Sequence, residues 1–237
     1  MVKNHISRLN APKCWTLLRK ETRWIARPLP GPHPLNRSVT LNMVLKDILG
    51  YAKTTREVKN ILNKGLVKVD NKIRKDHKFP IGIMDVISIE ETKENFRVLI
   101  NQKGKIVLIP IKKEEASLKP RKITNKTNLK KKKLQFNFLD GTNMLLKGKF
   151  DTNDTLLFDL SKNELKETLK LEKGVLVYII AGKQIGKIGV VKEIEKKKDT
   201  QPAQIVFTKD KQELKTLKDY AFVIGKTKPI ITMLEEK

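Results

Sequence analysis

Cysteine is nearly absent from this chain: Cys14 is the only one in 237 residues. A single thiol builds neither a disulfide framework nor a Cys-based zinc site, and a reducing, intracellular setting fits. Histidine is almost as scarce. His5, His33 and His77 are not spaced as metal ligands, and no H-E-x-x-H occurs. Long apolar runs are missing too. The longest, Val175 to Ala181, has seven residues, against the roughly 20 needed to span a bilayer. Met1 to Arg37 is broken up by charges and prolines, so no signal peptide is expected. Acid is in short supply as well: 26 Asp and Glu stand against 51 Lys and Arg, a formal net charge of +25.

A surplus of that size repels itself unless a polyanion neutralises it, and nucleic acid is the default partner. An acidic membrane surface is the weaker competitor, given the lack of apolar runs. The length leaves room for more than one core, so small modules in series are expected.

Ser38 to Glu90 organises the rest. Leu41, Val44, Leu45, Ile48, Leu49 and Ala52 form one apolar stripe at the helical period. Thr54 and Glu57 make the T-x-x-E capping signature, so a second helix begins there, and Gly65 is placed to end it. Val58, Ile61 and Leu62 mark its core face. Lys53, Arg56, Lys59, Asn60, Asn63 and Lys64 cluster on the other side. Short β-like runs follow: Leu66 to Val69, a turn at Asp70-Asn71, then Asp85 to Ile89. Lys68, Lys72, Arg74, Lys75 and Lys78 add positive charge nearby. A solvated face is the ordinary fate of such lysines, but the overall balance turns the reading toward anions.

Residues 1 to 37 show neither helical nor strand periodicity, and Pro28 to Pro34 has proline at every second position. Arg8, Lys13, Arg19, Lys20, Arg23, Arg27 and Arg37 are interleaved with Trp15 and Trp24, both tryptophans of the chain. Such a leader cannot build its own core. It suits an RNA surface, with guanidinium groups on phosphates and indoles on bases or on a neighbouring domain. From about Thr92 to Lys173 the pattern is mostly β. Phe96 to Ile100 and Ile106 to Ile109 read as a hairpin that Pro110 ends. Leu118 to Lys133, with Lys119, Arg121, Lys122, Lys126 and Lys130 to Lys133, reads as a basic connection, either solvated or phosphate-binding. Gln135 to Leu139, the Asp140-Gly141 turn and Met144 to Leu146 make another hairpin. Thr155 to Phe158 and Leu169 to Leu171 follow as strands.

Gly174 to Glu195 holds a buried-strand run at Val175 to Ile180 and a second within Lys187 to Ile194. Gly182, Gly186 and Gly189 recur around Lys183 and Lys187 between and within them. A tight glycine and lysine turn of this kind can bring backbone close to phosphates. It is not a P-loop, because three residues rather than four separate Gly182 from Gly186, and Ile188 follows Lys187 where Ser or Thr is required. Ile205 to Phe207 and Tyr220 to Ile224 supply further barrel strands. No residue stands out for catalysis: Cys14 has no triad, and the carboxylates lie mostly in solvated pairs such as Glu90-Glu91, Glu114-Glu115 and Glu235-Glu236. No cofactor and no small-molecule substrate are expected.

On these residues, Ser38 to Glu90 resembles the S-four RNA-binding domain, and Gly174 to Val191 resembles a KOW motif within an SH3-like barrel. Their order, with His5, Arg8, Ala11-Pro12, Trp15, Arg27-Pro28, Gly31-Pro32-His33, Met84 to Ile89, Glu94 to Arg97 and Phe222 to Gly225, is similar to the archaeal and eukaryotic small-subunit ribosomal protein four family, S-four-e. Ala181 departs from it, standing where that family's KOW turn commonly has a glycine pair. The resemblance implies an α+β, mainly β fold. Its parts would be an irregular basic extension at 1–37, an S-four domain at 38–91, a central β domain at 92–172, a KOW barrel at 173–225 and a short tail at 226–237. It implies a cytoplasmic, non-catalytic constituent of the small ribosomal subunit, in contact with small-subunit ribosomal RNA and neighbouring ribosomal proteins. RNA contacts are then expected from Arg8, Lys13, Trp15, Arg23, Arg27, His33 and Arg37 in the leader. Lys53, Arg56, Lys59, Asn60 and Lys64 join them from the second helix, Lys68, Lys72, Arg74 and Lys75 from the ribbon, and Lys183 and Lys187 from the KOW-like loop. An RNA-modifying enzyme clamping its substrate, or a cycling translation or transcription factor, are the alternatives.

Overall fold

The computed structural model describes residues 4–18, 20–130, 133–146, 148–195, 202–209 and 212–234. Arg19, Lys131, Lys132 and the Glu235-Glu236 pair lie outside the described residues. The chain divides into two compact units, Met1–Leu99 with Lys105–Lys119, and Ile100–Gly104 with Pro120–Lys237.

In the first unit the leader is not irregular throughout, as its sequence suggested. Strand β1 (His5–Ser7) pairs antiparallel with β2 (Trp24–Ala26), in the register His5 to Ala26. The intervening loop closes around Arg8. Its Nη1 donates to the Leu18 carbonyl at 2.7 Å and its Nη2 to Thr22 Oγ1 at 2.8 Å. Trp15 anchors the leader to the rest of the unit. It is 2% exposed, and its indole N–H donates to the Ser38 carbonyl at 2.5 Å. Too few apolar residues for a core of its own have therefore led the leader to borrow one.

Strand β3 (Ser38–Thr40) follows, and Thr40 caps the next element by accepting the Met43 N–H at 3.2 Å. Helix α1 (Leu41–Met43) continues as a wider π-turn (Val44–Ile48), closed by Leu49 N–H to the Val44 carbonyl at 2.9 Å. The apolar stripe predicted one helix reaching Ala52. The helical run stops sooner because Gly50 turns left-handed at φ 72°, and the N–H groups of Tyr51 and Ala52 both fold back to the Leu45 carbonyl. Ala52 is nonetheless buried. Helix α2 spans Thr55–Asn63.

Strands β4 (Val67–Val69) and β5 (Lys72–Ile73) come next, then β6 (Pro80–Gly82), which pairs with β3, and β7 (Val86–Ile89). Strands β8 (Glu94–Ile100) and β9 (Ile106–Pro110) complete an antiparallel sheet ordered β5-β4-β7-β8-β9, and a single turn, α3 (Lys113–Ala116), follows. Val39, Leu41, Val44, Val58, Leu62, Val67, Ile81, Ile87 and Val98 are fully buried between these elements.

The basic connection expected at Leu118 to Lys133 is instead a twelve-residue strand, β10 (Leu118–Leu129). Three of its cations point inward, each with partners. Lys119, in the first unit, reaches Asp70 at 2.5 Å and Asp85 at 2.7 Å. In the second unit Arg121 pairs with Asp140 at 3.1 Å, with its guanidinium 4.9 Å from the centre of the Phe158 ring. Lys122 donates to the carbonyls of Asp219 and Ala221 at 2.6 and 2.7 Å.

In the second unit β10 lies within a sheet ordered β12-β11-β10-β13-β14, with β11 Lys133–Phe138, β12 Asn143–Leu145, β13 Thr155–Asp159 and β14 Glu164–Leu169. Ile123, Phe136, Phe138, Leu156 and Phe158 make its core. The last of these strands ends at Leu169, where the sequence pattern had a strand begin. A second antiparallel sheet is ordered β18-β17-β16-β15-β19, from β15 (Leu176–Ile179), β16 (Ile188–Glu195), β17 (Gln204–Lys209), β18 (Gln212–Leu217) and β19 (Ala221–Gly225). Its core is Leu169, Val177, Ile179, Val191, Ile205, Phe207, Ala221 and Val223. Strand β18, unforeseen from the sequence, is a charged strand at the sheet's edge. Lys215 on it pairs with Glu195 at 2.9 Å.

The Lys119 cluster generates two predictions. Lys119→Met leaves the buried Asp85 carboxylate facing the half-buried one of Asp70, and breaking such a pair costs about 3–5 kcal/mol. Urea unfolding at neutral pH should show a loss of that order. Burial pushes the Asp85 carboxyl up, but Lys119, then His33 with the Gly82 N–H, outweigh it and hold it well below the usual carboxylate range. A depressed carboxylate contributes stability in full above its unfolded value of about 4 and loses it as the pH falls further. The stability gap between the native chain and Asp85→Asn should therefore narrow on acidification from pH about 5 to about 2.

Candidate nucleic-acid interface

Helix α2 is fixed at its start by a reciprocal cap. Thr54 Oγ1 accepts the Glu57 N–H at 3.3 Å, and Glu57 reaches back to the N–H groups of Lys53 at 2.8 Å and Thr54 at 3.4 Å. These donors, the Lys53 N–H first, hold the Glu57 carboxyl below its ordinary value. Val58 and Leu62 are fully buried and set the helix on its core. The opposite face is therefore presented outward by construction: Lys53, Arg56, Lys59, Asn60, Asn63 and Lys64 are all exposed. Lys59 also bears on His77. Burial first, and Lys59 next, lower the His77 imidazole, so it is neutral near pH 7.

The ribbon of β4 and β5 turns at Asp70 and Asn71, both left-handed at φ 51° and 62°, as two-residue hairpin turns require. Lys72, Ile73 and Lys75 are exposed on it. Lys68 and Arg74 are half-buried and partly committed. Lys68 pairs with Glu90, and the Arg74 guanidinium lies 4.3 Å from the Phe79 ring centre. In the leader Lys13 and Arg23 are exposed, while Arg27 and Arg37 are half-buried. All of these lie in the first unit.

Three residues expected on RNA are turned inward instead. Arg8, 2% exposed, closes the leader loop, and Trp15 is spent on the core. His33 Nε2 lies 3.0 Å from Asp85 Oδ2, and its ring covers Gly82 so closely that a Cβ there would overlap it. These three shape the surface rather than offering it. The exposed indole is the other one, Trp24, at 51%. Its place in a short strand, beside buried Ile25 and next to Arg23, is the signal that could have distinguished it.

In the second unit the β15–β16 turn is tied by Gly186 N–H to the Ile179 carbonyl at 2.8 Å. Gly186 is left-handed at φ 77°, and a Cβ on it would collide with the backbone of Asn101. Its missing side chain is thus explained by packing within the chain. Lys183 is exposed and Lys187 half-buried beside it.

Other chemistries gain nothing. Cys14 donates to the Asn36 carbonyl at 3.2 Å, and burial raises its thiol, so it is a protonated structural group. Among the described residues no group of three or more His, Cys, Asp or Glu could hold a metal ion, and no helix is long and apolar enough to cross a membrane.

Comparison with known proteins gives three family matches: an RS4NT (NUC023) domain over residues 2–36, an S4 domain over 39–87, and Ribosomal family S4e over 92–165. The small ribosomal subunit protein eS4 of Methanocella arvoryzae is 38% identical, covering 98% of both chains. That of Methanocaldococcus jannaschii is 40% identical, with the same coverage. The crystal structure of the 30S ribosomal protein S4e from Thermoplasma acidophilum matches with a TM-score of 0.70 at 32% identity, covering 81% of this chain and 96% of that one.

The cap makes a direct prediction. Thr54→Ala should lower the unfolding free energy by about 1 kcal/mol, read as a shifted urea midpoint with an unchanged slope.

Proposed function

The chain belongs to the ribosomal S4e family, and from that premise we propose that it is a structural, non-catalytic constituent of the small ribosomal subunit. It binds and braces small-subunit ribosomal RNA, in the cytoplasm, among neighbouring ribosomal proteins. The observation that carries the reading is the outward face of α2. Its cations are held exposed by a capped, core-anchored helix on a chain of +25. An array whose backbone is fixed in this way is suited to phosphates, because the cations are already placed side by side before their side chains order on binding.

Lys53, Arg56, Lys59, Asn60 and Lys64 form the main grip, extended by Lys72 and Lys75 on the ribbon and by Lys13 and Arg23 on the leader. Lys68, Arg74, Arg27 and Arg37 contribute from half-buried positions. Arg8, Trp15 and His33 act behind that surface as its supports. We read the β15–β16 turn as a KOW-type loop and a second anchor, with Lys183 as its leading cation and Lys187 beside it. Its support is the strand-turn-strand geometry of a small antiparallel sheet.

Phosphate neutralisation should dominate the affinity. If roughly ten phosphates are contacted, log K against log salt slopes at about −7 to −9. Replacing Lys53, Arg56 and Lys59 together with alanine should flatten that slope by about two to three units. A filter-binding titration against small-subunit ribosomal RNA over a range of salt measures it, and an unchanged slope sinks the assignment of this face. The protein should also stay with small subunits through a salt wash that strips cycling factors.

A further inference from the structure

The first unit contains an open cavity of about 220 Å³ between the β1–β2 ladder, the helical run and the loop before β6. We infer that this cavity receives a single unpaired nucleobase of the bound RNA, stacked on Trp24 and read by Asn42. The inference rests on the RNA-binding role proposed above and adds to it a site that reads a base.

The indole on the cavity wall is unusual in being left open: Trp24 is 51% exposed, while Trp15 is buried. His5 meets it edge-on at 4.6 Å between ring centres, and the Arg23 guanidinium lies 5.0 Å from its centroid. A base stacked there would meet an aromatic surface and a cation together, the usual platform for single-stranded nucleic acid. Asn42 supplies a second and independent sign of a ligand. It lines the same cavity and is 5% exposed, yet its side-chain oxygen is buried with no hydrogen-bond partner. A buried, unpaired amide oxygen is costly, and Asn is a common partner of the adenine N6/N7 edge. The amide's soft χ2 lets it turn either end to an incoming base.

Size and charge select the part of the nucleotide that enters. The volume falls below the roughly 300–1,000 Å³ of sites for whole drug-sized ligands, which fits a base rather than a free nucleotide. Asp47 on the wall disfavours the entry of a phosphate, whereas Lys46 and Lys78, on the same wall, can hold the phosphate at the mouth. The RNA element that satisfies this arrangement is a bulged or looped-out nucleotide, adenine first among the bases.

Tryptophan emission of the full chain, together with the fluorescence anisotropy of end-labelled hexa-adenylate, hexa-uridylate and a short RNA duplex to read affinity in every variant, tests the inference. Hexa-adenylate should quench the native protein. Trp24→Ala should weaken hexa-adenylate binding about 5- to 150-fold while leaving duplex affinity within about twofold. Trp24→Phe, which keeps the ladder and a ring, should recover most of the affinity without the quench. Asn42→Ala should narrow the preference for hexa-adenylate over hexa-uridylate. Absence of quenching in the native protein, or an equal loss on single strand and duplex in Trp24→Ala, would overturn the base site while leaving RNA binding intact. Failure of the native protein to bind duplex as well would instead count against the RNA-binding role itself.

Discussion

A lysine ammonium at 1% exposure is tolerable only if its charge is met where it lies, and the first unit is built around that condition at Lys119. Asp70 and Asp85 both reach it. Asp85 also takes the Gly82 N–H at 2.8 Å and faces His33, and Asp70 accepts the Val86 N–H at 3.0 Å. Through four side chains the leader, the ribbon, the turn before β7 and the start of β10 share one electrostatic centre. The two acids are not equivalent within it. Burial, then the negative charge of Asp85, pushes the Asp70 carboxyl up, while Asp85 is held down. Arg97 repeats the theme nearby. Fully buried and bonded to the carbonyls of Glu115 and Leu118, it is lowered by burial to about 10 and so remains charged at neutral pH.

The chain's positive residues thus fall into two populations that composition alone cannot separate. One is turned outward, on α2, the ribbon and the leader, and is free to meet a polyanion. The other is interior and serves the fold, at Arg8, Arg97, Lys119, Arg121 and Lys122. Replacing an inward cation acts through the fold, whereas replacing an outward one leaves the fold intact. A stability measurement tells the two kinds of loss apart.

What the sequence revealed follows from how local each signal is. The α2 cap lies within four residues, the Asp70-Asn71 turn within two, and the β8–β9 hairpin within one short loop, so each was legible from its own neighbourhood. Strand β10 was not. Its Lys-Pro-Arg-Lys run looks solvated until its partners are known, and those lie 49 residues away at Asp70 and 99 residues away at Ala221. The same limit explains the leader. Trp15 and Trp24 sit in similar basic surroundings, and the partner that holds Trp15 inside, the Ser38 carbonyl, lies 23 residues away. Inward histidine at position 33 was hidden likewise, because the glycine that makes room for its ring comes with β6.

The centre at Lys119 has one more consequence, for the time at which the chain can settle. Asp85 leaves the synthetic machinery 34 residues ahead of Lys119. At roughly 5–20 residues per second, that is a wait of about 2–7 seconds. Until then two carboxylates and a histidine have no ammonium to gather round, and burying them would be unfavourable. The leader and ribbon can pair within themselves earlier, but the charge centre they share forms only after α2 has been made. That centre is completed last, by a lysine whose own side chain is buried within it.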